Sequence, residues 1–264
     1  MLRDRVPRVW TLWTASRPAQ LFLVVAVYAL GVAITLAHGS PLAERRLLAG
    51  LAALVPTAAG IHYANEYADA ETDALTDRTP FSGGSGALQS TDVRRSVQYS
   101  LPPFAFARRG LGELLNAALG GIALPCYGAA VTGGLDRTAV LAVVPFSWFV
   151  LANMLETQWP DRHADADVGK DTLAVRWRPR RLRVAYAIAV LAGFGTLLAL
   201  TAGVTPVTPD VFPWLVTFGT LSAMPLFAWG TVRFTRRRVP YPAVVGMVQV
   251  AVLQLVAWTV TASG

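Results

Sequence analysis

Charge is scarce in this chain, and acid most of all. Only 15% of its 264 residues are charged, with 16 Asp and Glu against 23 Lys and Arg. A soluble domain carries nearer a quarter, so a water-facing globule is excluded. The single cysteine, Cys126, excludes a disulfide framework and reads as a structural thiol inside an apolar stretch. The three histidines form no pair at helical spacing, which removes the usual helical zinc site. Repeats and low-complexity tracts are missing apart from the short "FSGGSG", and nothing sets off a separate soluble domain. The opening "MLRDRVPRVWTLWTASRP" has no apolar core leading to a small-residue cleavage site. The first apolar stretch is therefore expected to serve as the insertion signal.

What the chain has in quantity is apolar surface. Hydrophobic residues make up 54% of it, and its mean hydropathy is +0.45. Seven stretches approach the ~20 residues that cross a bilayer as a helix: roughly 19–37, 47–64, 113–135, 138–158, 183–204, 212–234 and 243–262. The expected fold is all-α, a polytopic helical membrane bundle. With Met1 on the cytoplasmic side, segments 1–18, 65–112, 159–182 and 235–242 share that face. Counted with the adjoining helix ends, they hold 20 of the 23 Lys and Arg, leaving Arg45, Arg46 and Arg137 opposite. That bias fits the positive-inside rule. Topology and attraction to anionic lipid account for the net charge of +7, so nucleic acid need not be invoked.

Against this background one stretch stands out. "NEYADAETD" (65–73) places four acids in nine residues at the end of the second span. Asn65, Asp69 and Asp73 recur every four residues and so share one helix face. A second cluster, "TQWPDRHADADVGKDTLAVRW", follows the fourth span, with Asp161 and Asp165 at the same spacing, Thr157 one turn earlier, and Asp167 and Asp171 nearby. The seven-span count brings both clusters to one membrane face. Facing rows of carboxylates repel unless a cation sits between them. An oxygen-only donor set favours a hard cation, Mg2+ first, and Mg2+ is usually shared with phosphate oxygens. One DxxxD at a membrane border is ordinarily a solvated helix end; two on one face point to a diphosphate held through metal. Arg78 and Lys170 flank the clusters and could grip diphosphate oxygens, although positive-inside anchoring suffices for each alone. "SRPAQ" enters the first span, where Arg17 and Gln20 either point into the bundle or serve as border residues.

These residues resemble the UbiA superfamily of intramembrane prenyltransferases, which carry NDxxDxxxD after the second span and DxxxD after a later one. Here the first motif has Glu66 where the family usually has Asp. The second ends in "GKDTLAV", similar to the family's GK-x-TLA tail, and "SRP" before the first span also matches. The resemblance covers most of the chain, read as a single membrane domain, 1–264. It implies Asp69, Asp73, Asp161 and Asp165 as catalytic and, with Asn65, metal-binding residues. It also implies Arg17, Gln20, Arg78, Lys170 and Tyr67 as substrate contacts, Tyr67 being open to a packing role instead. Within the superfamily, "PPFAFARRGLGELLNAALGG" (102–121) and "DRTPFSGGSGAL" (77–88) look most like the menaquinone branch. The family usually has nine spans. The absent pair would fall between Val97 and Pro102, which would open the ring of helices around the site.

The resemblance implies transfer of a polyprenyl group from an allylic diphosphate to an aromatic quinone precursor in the bilayer. The expected acceptor is 1,4-dihydroxy-2-naphthoate, with 4-hydroxybenzoate or a glycerol-phosphate lipid precursor as alternatives. Prenyl length and oligomeric state are not written in the motifs. A cation transporter would place its ionisable groups at mid-membrane, whereas these lie at the cytoplasmic border. A CDP-alcohol phosphotransferase would need one contiguous acidic block led by DG-x2-AR, and these acids are split by about 90 residues.

Overall fold

A computed structural model describes residues 7–75, 112–204, 211–237 and 239–264, with side chains from residue 10 onward and, in the first of these blocks, up to residue 66. A short helix α1 (Pro7–Ala15) leads into α2 (Pro18–Ala37) and α3 (Glu44–Leu75). Next come α4 (Gly112–Thr132), with a π-turn at Leu119–Ala123, and α5 (Arg137–Thr157). Two short helices follow, α6 (Arg162–Asp167) and α7 (Leu173–Arg176), and then α8 (Pro179–Thr201). The sixth span is broken into α9 (Trp214–Leu221) and α10 (Met224–Arg233), and α11 (Tyr241–Ser263) closes the chain. Seven stretches of described helix are long and apolar enough to cross a membrane. The described residues contain no strand. This is the expected helical bundle. The fifth span begins earlier than its apolar run, because Pro179 at the first helical position folds the arginine-rich "RPRRLR" into the first turn.

Two glycines bring α2 and α4 into backbone contact. A Cβ on Gly31 would lie 1.8 Å from the Pro125 carbonyl oxygen, and one on Gly128 would lie 2.1 Å from that of Tyr28. Without a hydrophobic force between helices in lipid, such close approach supplies the van der Waals contact that holds them. Gly128→Val therefore drives side-chain atoms into backbone that cannot move aside. The expected loss is about 3 kcal/mol or more, read as a lower thermal midpoint in detergent. A variant melting with the wild type would contradict the contact.

The remaining core packs aromatic rings and pairs hydroxyls. Phe149 meets Phe194 and Phe227 at centroid distances of 4.8 and 4.9 Å. Thr35 and Thr132 bond at 2.9 Å, Thr201 and Thr217 at 2.8 Å, and Gln254 donates to Thr220 at 3.1 Å. These bonds tie helices together in the half away from the acidic motifs. Span α3 is the least covered: 11% of its apolar window is buried, against 28–56% in the other six. Two tyrosines fasten it, Tyr28 donating to the Leu47 carbonyl and Tyr127 to that of Gly50. The expected two-span gap between Val97 and Pro102 lies outside the described residues.

Candidate active site

The first acidic stretch continues the second span without a break, because α3 runs on to Leu75. Its helical period puts Asn65, Asp69 and Asp73 on one face. The side chains of Tyr67, Asp69 and Asp73, and all of Arg78, lie outside the described residues. Glu66 is the last side chain of this stretch to be described, and it is 3% exposed. Arg17 meets it from the start of α2: Nε and Nη2 both donate to Glu66 Oε2, at 3.0 and 2.8 Å. Arg17 is also in left-handed backbone, φ 50° and ψ 68°, which costs a non-glycine residue roughly 1 kcal/mol or more. The turn follows from "SRP". Ser16 bonds back to the Trp13 carbonyl at 2.7 Å, Pro18 opens α2, and Arg17 must turn the chain between them. Only Arg17 of the "SRPAQ" pair is drawn inward. Gln20 is exposed, which matches the border reading of the two that the sequence left open.

Arg17→Ala takes two charge-assisted bonds from a buried carboxylate. We expect it to lower stability by about 2–3 kcal/mol, read from unfolding of the purified protein, with Arg17→Lys intermediate because one ammonium cannot copy both bonds. Unchanged unfolding in Arg17→Ala would show that Glu66 is held by other groups.

The second stretch is less regular than its spacing suggests. Helix α5 ends at Thr157, and residues 158–161, with Pro160 among them, form turns before α6. Thr157 therefore does not continue the row formed by Asp161 and Asp165; its hydroxyl bonds back to the Asn153 carbonyl at 2.9 Å. Asp161 and Asp165 do keep helical register, the Asp165 N–H donating to the Asp161 carbonyl at 2.8 Å. Across the break, the Arg162 guanidinium lies 3.8 Å from the Trp159 ring centre and donates to the Trp159 carbonyl. Asp165 is 6% exposed. Beyond it Gly169 takes φ 70°, which lets the chain reverse. The Lys170 N–H then donates to the Asp165 carbonyl at 2.8 Å, and Lys170 Nζ sits 3.6 Å from Asp165 Oδ1.

The elements carrying the two stretches touch: α3 packs against α6, and α1 packs against α3. Arg17, Glu66, Asp161, Asp165 and Lys170 thus belong to one end of the bundle. Two further acids support it; Glu113 was read only within the menaquinone-like stretch 102–121, and Glu156 in no motif. Glu156 is 3% exposed and accepts the Ala243 N–H at 3.2 Å. It thereby satisfies a donor in the first turn of α11, where prolines occupy the cap and second positions. Glu113, 1% exposed, accepts the Leu173 N–H beside the second motif. The signal available for both was an acid at the end of an apolar run, where burial is costly unless it is paired. Its partner, 87 or 60 residues away, was not readable.

Among the described residues, no three His, Cys, Asp or Glu side chains group as metal ligands. The donor chemistry nevertheless fits a hard cation. Asp165 is a buried carboxylate, its helix packs against α3, and α3 carries Asn65, Asp69 and Asp73 in its sequence.

A bundle of apolar helices with charged side chains paired at one end is an integral membrane protein whose polar chemistry sits at a membrane border. Residues 96–240, more than half of the chain, match the UbiA prenyltransferase family. The chain belongs to that family and is a membrane prenyltransferase. The matched segment contains the second motif and begins after the first. No curated protein matches the chain.

Proposed function

We propose that the whole chain, 1–264, is one membrane domain that transfers a polyprenyl group from an allylic diphosphate to 1,4-dihydroxy-2-naphthoate, as in menaquinone biosynthesis. The observation that supports this reading is the contact between α3 and α6, the elements that carry the two acidic stretches. Asn65, Asp69, Asp73, Asp161 and Asp165 are the proposed Mg2+ holders. When bound, Mg2+ takes up negative charge that develops on the departing diphosphate. Arg17, Arg78 and Lys170 receive its remaining oxygens, and Tyr67 lines the approach. The site faces the cytoplasm, where the basic residues gather.

The chemistry balances without a further reactant. The allylic C–O bond breaks with its electron pair leaving on the diphosphate, and surrounding donors favour that charge. The naphthoate carbon bearing the carboxylate attacks the allylic cation and forms the new C–C bond. Loss of CO2 returns its bonding pair to the ring. Exclusion of water protects the cation, and the apolar helices accept the prenyl tail. Support for this acceptor comes from the sequence of Pro102, Pro103 and "RGLGE" (109–113). Arg108 and Arg109 are the proposed partners of the acceptor carboxylate and lie outside the described residues.

The test supplies membranes containing the protein with prenyl diphosphate, Mg2+ and one acceptor at a time: the naphthoate, 4-hydroxybenzoate or a glycerol-phosphate lipid precursor. Demethylmenaquinone-type product and CO2 release from the first are expected. Prenylation of another acceptor alone would overturn the naphthoate assignment and leave the diphosphate site standing.

A further inference from the structure

We propose that Glu113 is a positioning residue for the second acidic motif, its buried carboxylate fixing the loop that folds Lys170 over Asp165. The proposal rests on the reading of that pair as part of a diphosphate site. Glu113 stands at the start of α4, in a different span from the motif it touches, and its side chain is almost wholly out of solvent. Its Oε1 accepts the N–H of Leu173, the first residue of α7. As the first N–H of a helix, that donor has no acceptor within α7. Thr172 occupies the cap position, yet its hydroxyl makes no capping bond and is buried with no partner among the described residues. Glu113 therefore supplies from across the bundle an acceptor that the first turn of α7 lacks.

The consequence falls on residues 166–172. At its near end this loop is fastened by the Lys170 N–H to Asp165 carbonyl bond. At its far end, the Asp171–Arg176 ion pair spans 3.3 Å but is nearly half exposed on both sides, and such pairs add little. Leu173 and Ala174 are buried and hold α7 against the bundle, but apolar contact has no preferred direction. A directional anchor from another span is the Glu113 bond, three residues beyond Lys170. Without it the loop keeps its near bond at Asp165 and loses its directed far one, so the Lys170 backbone is fixed from one side only and its side chain is held less firmly over Asp165.

Glu113→Gln keeps an acceptor oxygen of the same reach, and Glu113→Ala removes it. The experiment measures amide hydrogen exchange over 168–176 and steady-state kinetics for both variants in detergent or nanodiscs. In Glu113→Ala, exchange in that peptide should rise about tenfold, and the KM for prenyl diphosphate should rise about tenfold with the acceptor KM unchanged. Glu113→Gln should stay close to wild type in all three. Unchanged exchange in Glu113→Ala overturns the proposal, as does faster exchange with an unaltered prenyl diphosphate KM. So does a Gln variant as damaged as the Ala variant, which would assign Glu113 a role for its charge. If the wild type transfers no prenyl group, the functional reading fails, and the exchange arm alone decides whether Glu113 positions the loop.

Discussion

Asp69→Asn and Asp165→Asn should each lower turnover by about a hundredfold or more, while the amount of membrane-inserted protein stays the same. The two residues sit on separate elements, one after the second span and one after the fourth, yet α3 and α6 are in contact. Each variant keeps the shape of its side chain and removes the charge. Loss of both activities thus means that both walls act on one diphosphate. Asp165 needs a control because it is buried and beside Lys170. Neutralising it leaves the ammonium partly unpaired, so a fall in stability could pass for a fall in catalysis. Thermal unfolding separates the two: the catalytic account requires inserted, folded protein with low turnover. Near-normal turnover in either variant would sink the two-wall site.

Removing divalent cation should abolish transfer to the detection limit, with recovery on added Mg2+ or Mn2+. The reason lies in the donors. Carboxylates and an Asn amide suit hard cations, and Mg2+ or Mn2+ would be held by them together with phosphate oxygens better than Ca2+, which prefers longer bonds and more ligands. Ca2+ should therefore restore much less. The protein's own fold does not depend on the metal in this account. Its helices are held by the glycine contacts of α2 and α4, by threonine pairs and by the Glu156 and Glu113 bonds. EDTA should leave the thermal midpoint within a few degrees. Undiminished transfer in EDTA would remove Mg2+ from the reading.

The spans were legible in the sequence because each is an apolar run of bilayer length bounded by proline, glycine or charge, and their ends fall within a few residues of the helices, except that α3 runs on through the first motif to Leu75. The first motif was legible as helix because nothing between Asn65 and Asp73 breaks the period. Pro160 carried the opposite signal, and the break it marks separates Thr157 from the Asp161–Asp165 row. What spacing could not show were the long-range partners. Glu66 departs from the family's Asp, and only the structure shows it buried against Arg17, whose left-handed backbone points the guanidinium at it. Glu113 and Glu156 read as acids at span ends. Each turned out to satisfy a backbone N–H of a helix that starts far away in the chain, and hydropathy holds no trace of such pairing.

The most direct measurement is of the site itself. Mn2+ can stand in for Mg2+ and be followed by its paramagnetic resonance in purified protein titrated with prenyl diphosphate. The two-wall account predicts Mn2+ binding that appears with the diphosphate, and that Asp69→Asn and Asp165→Asn each weaken it about tenfold or more. Mn2+ bound equally well by the wild type and by both variants would contradict it.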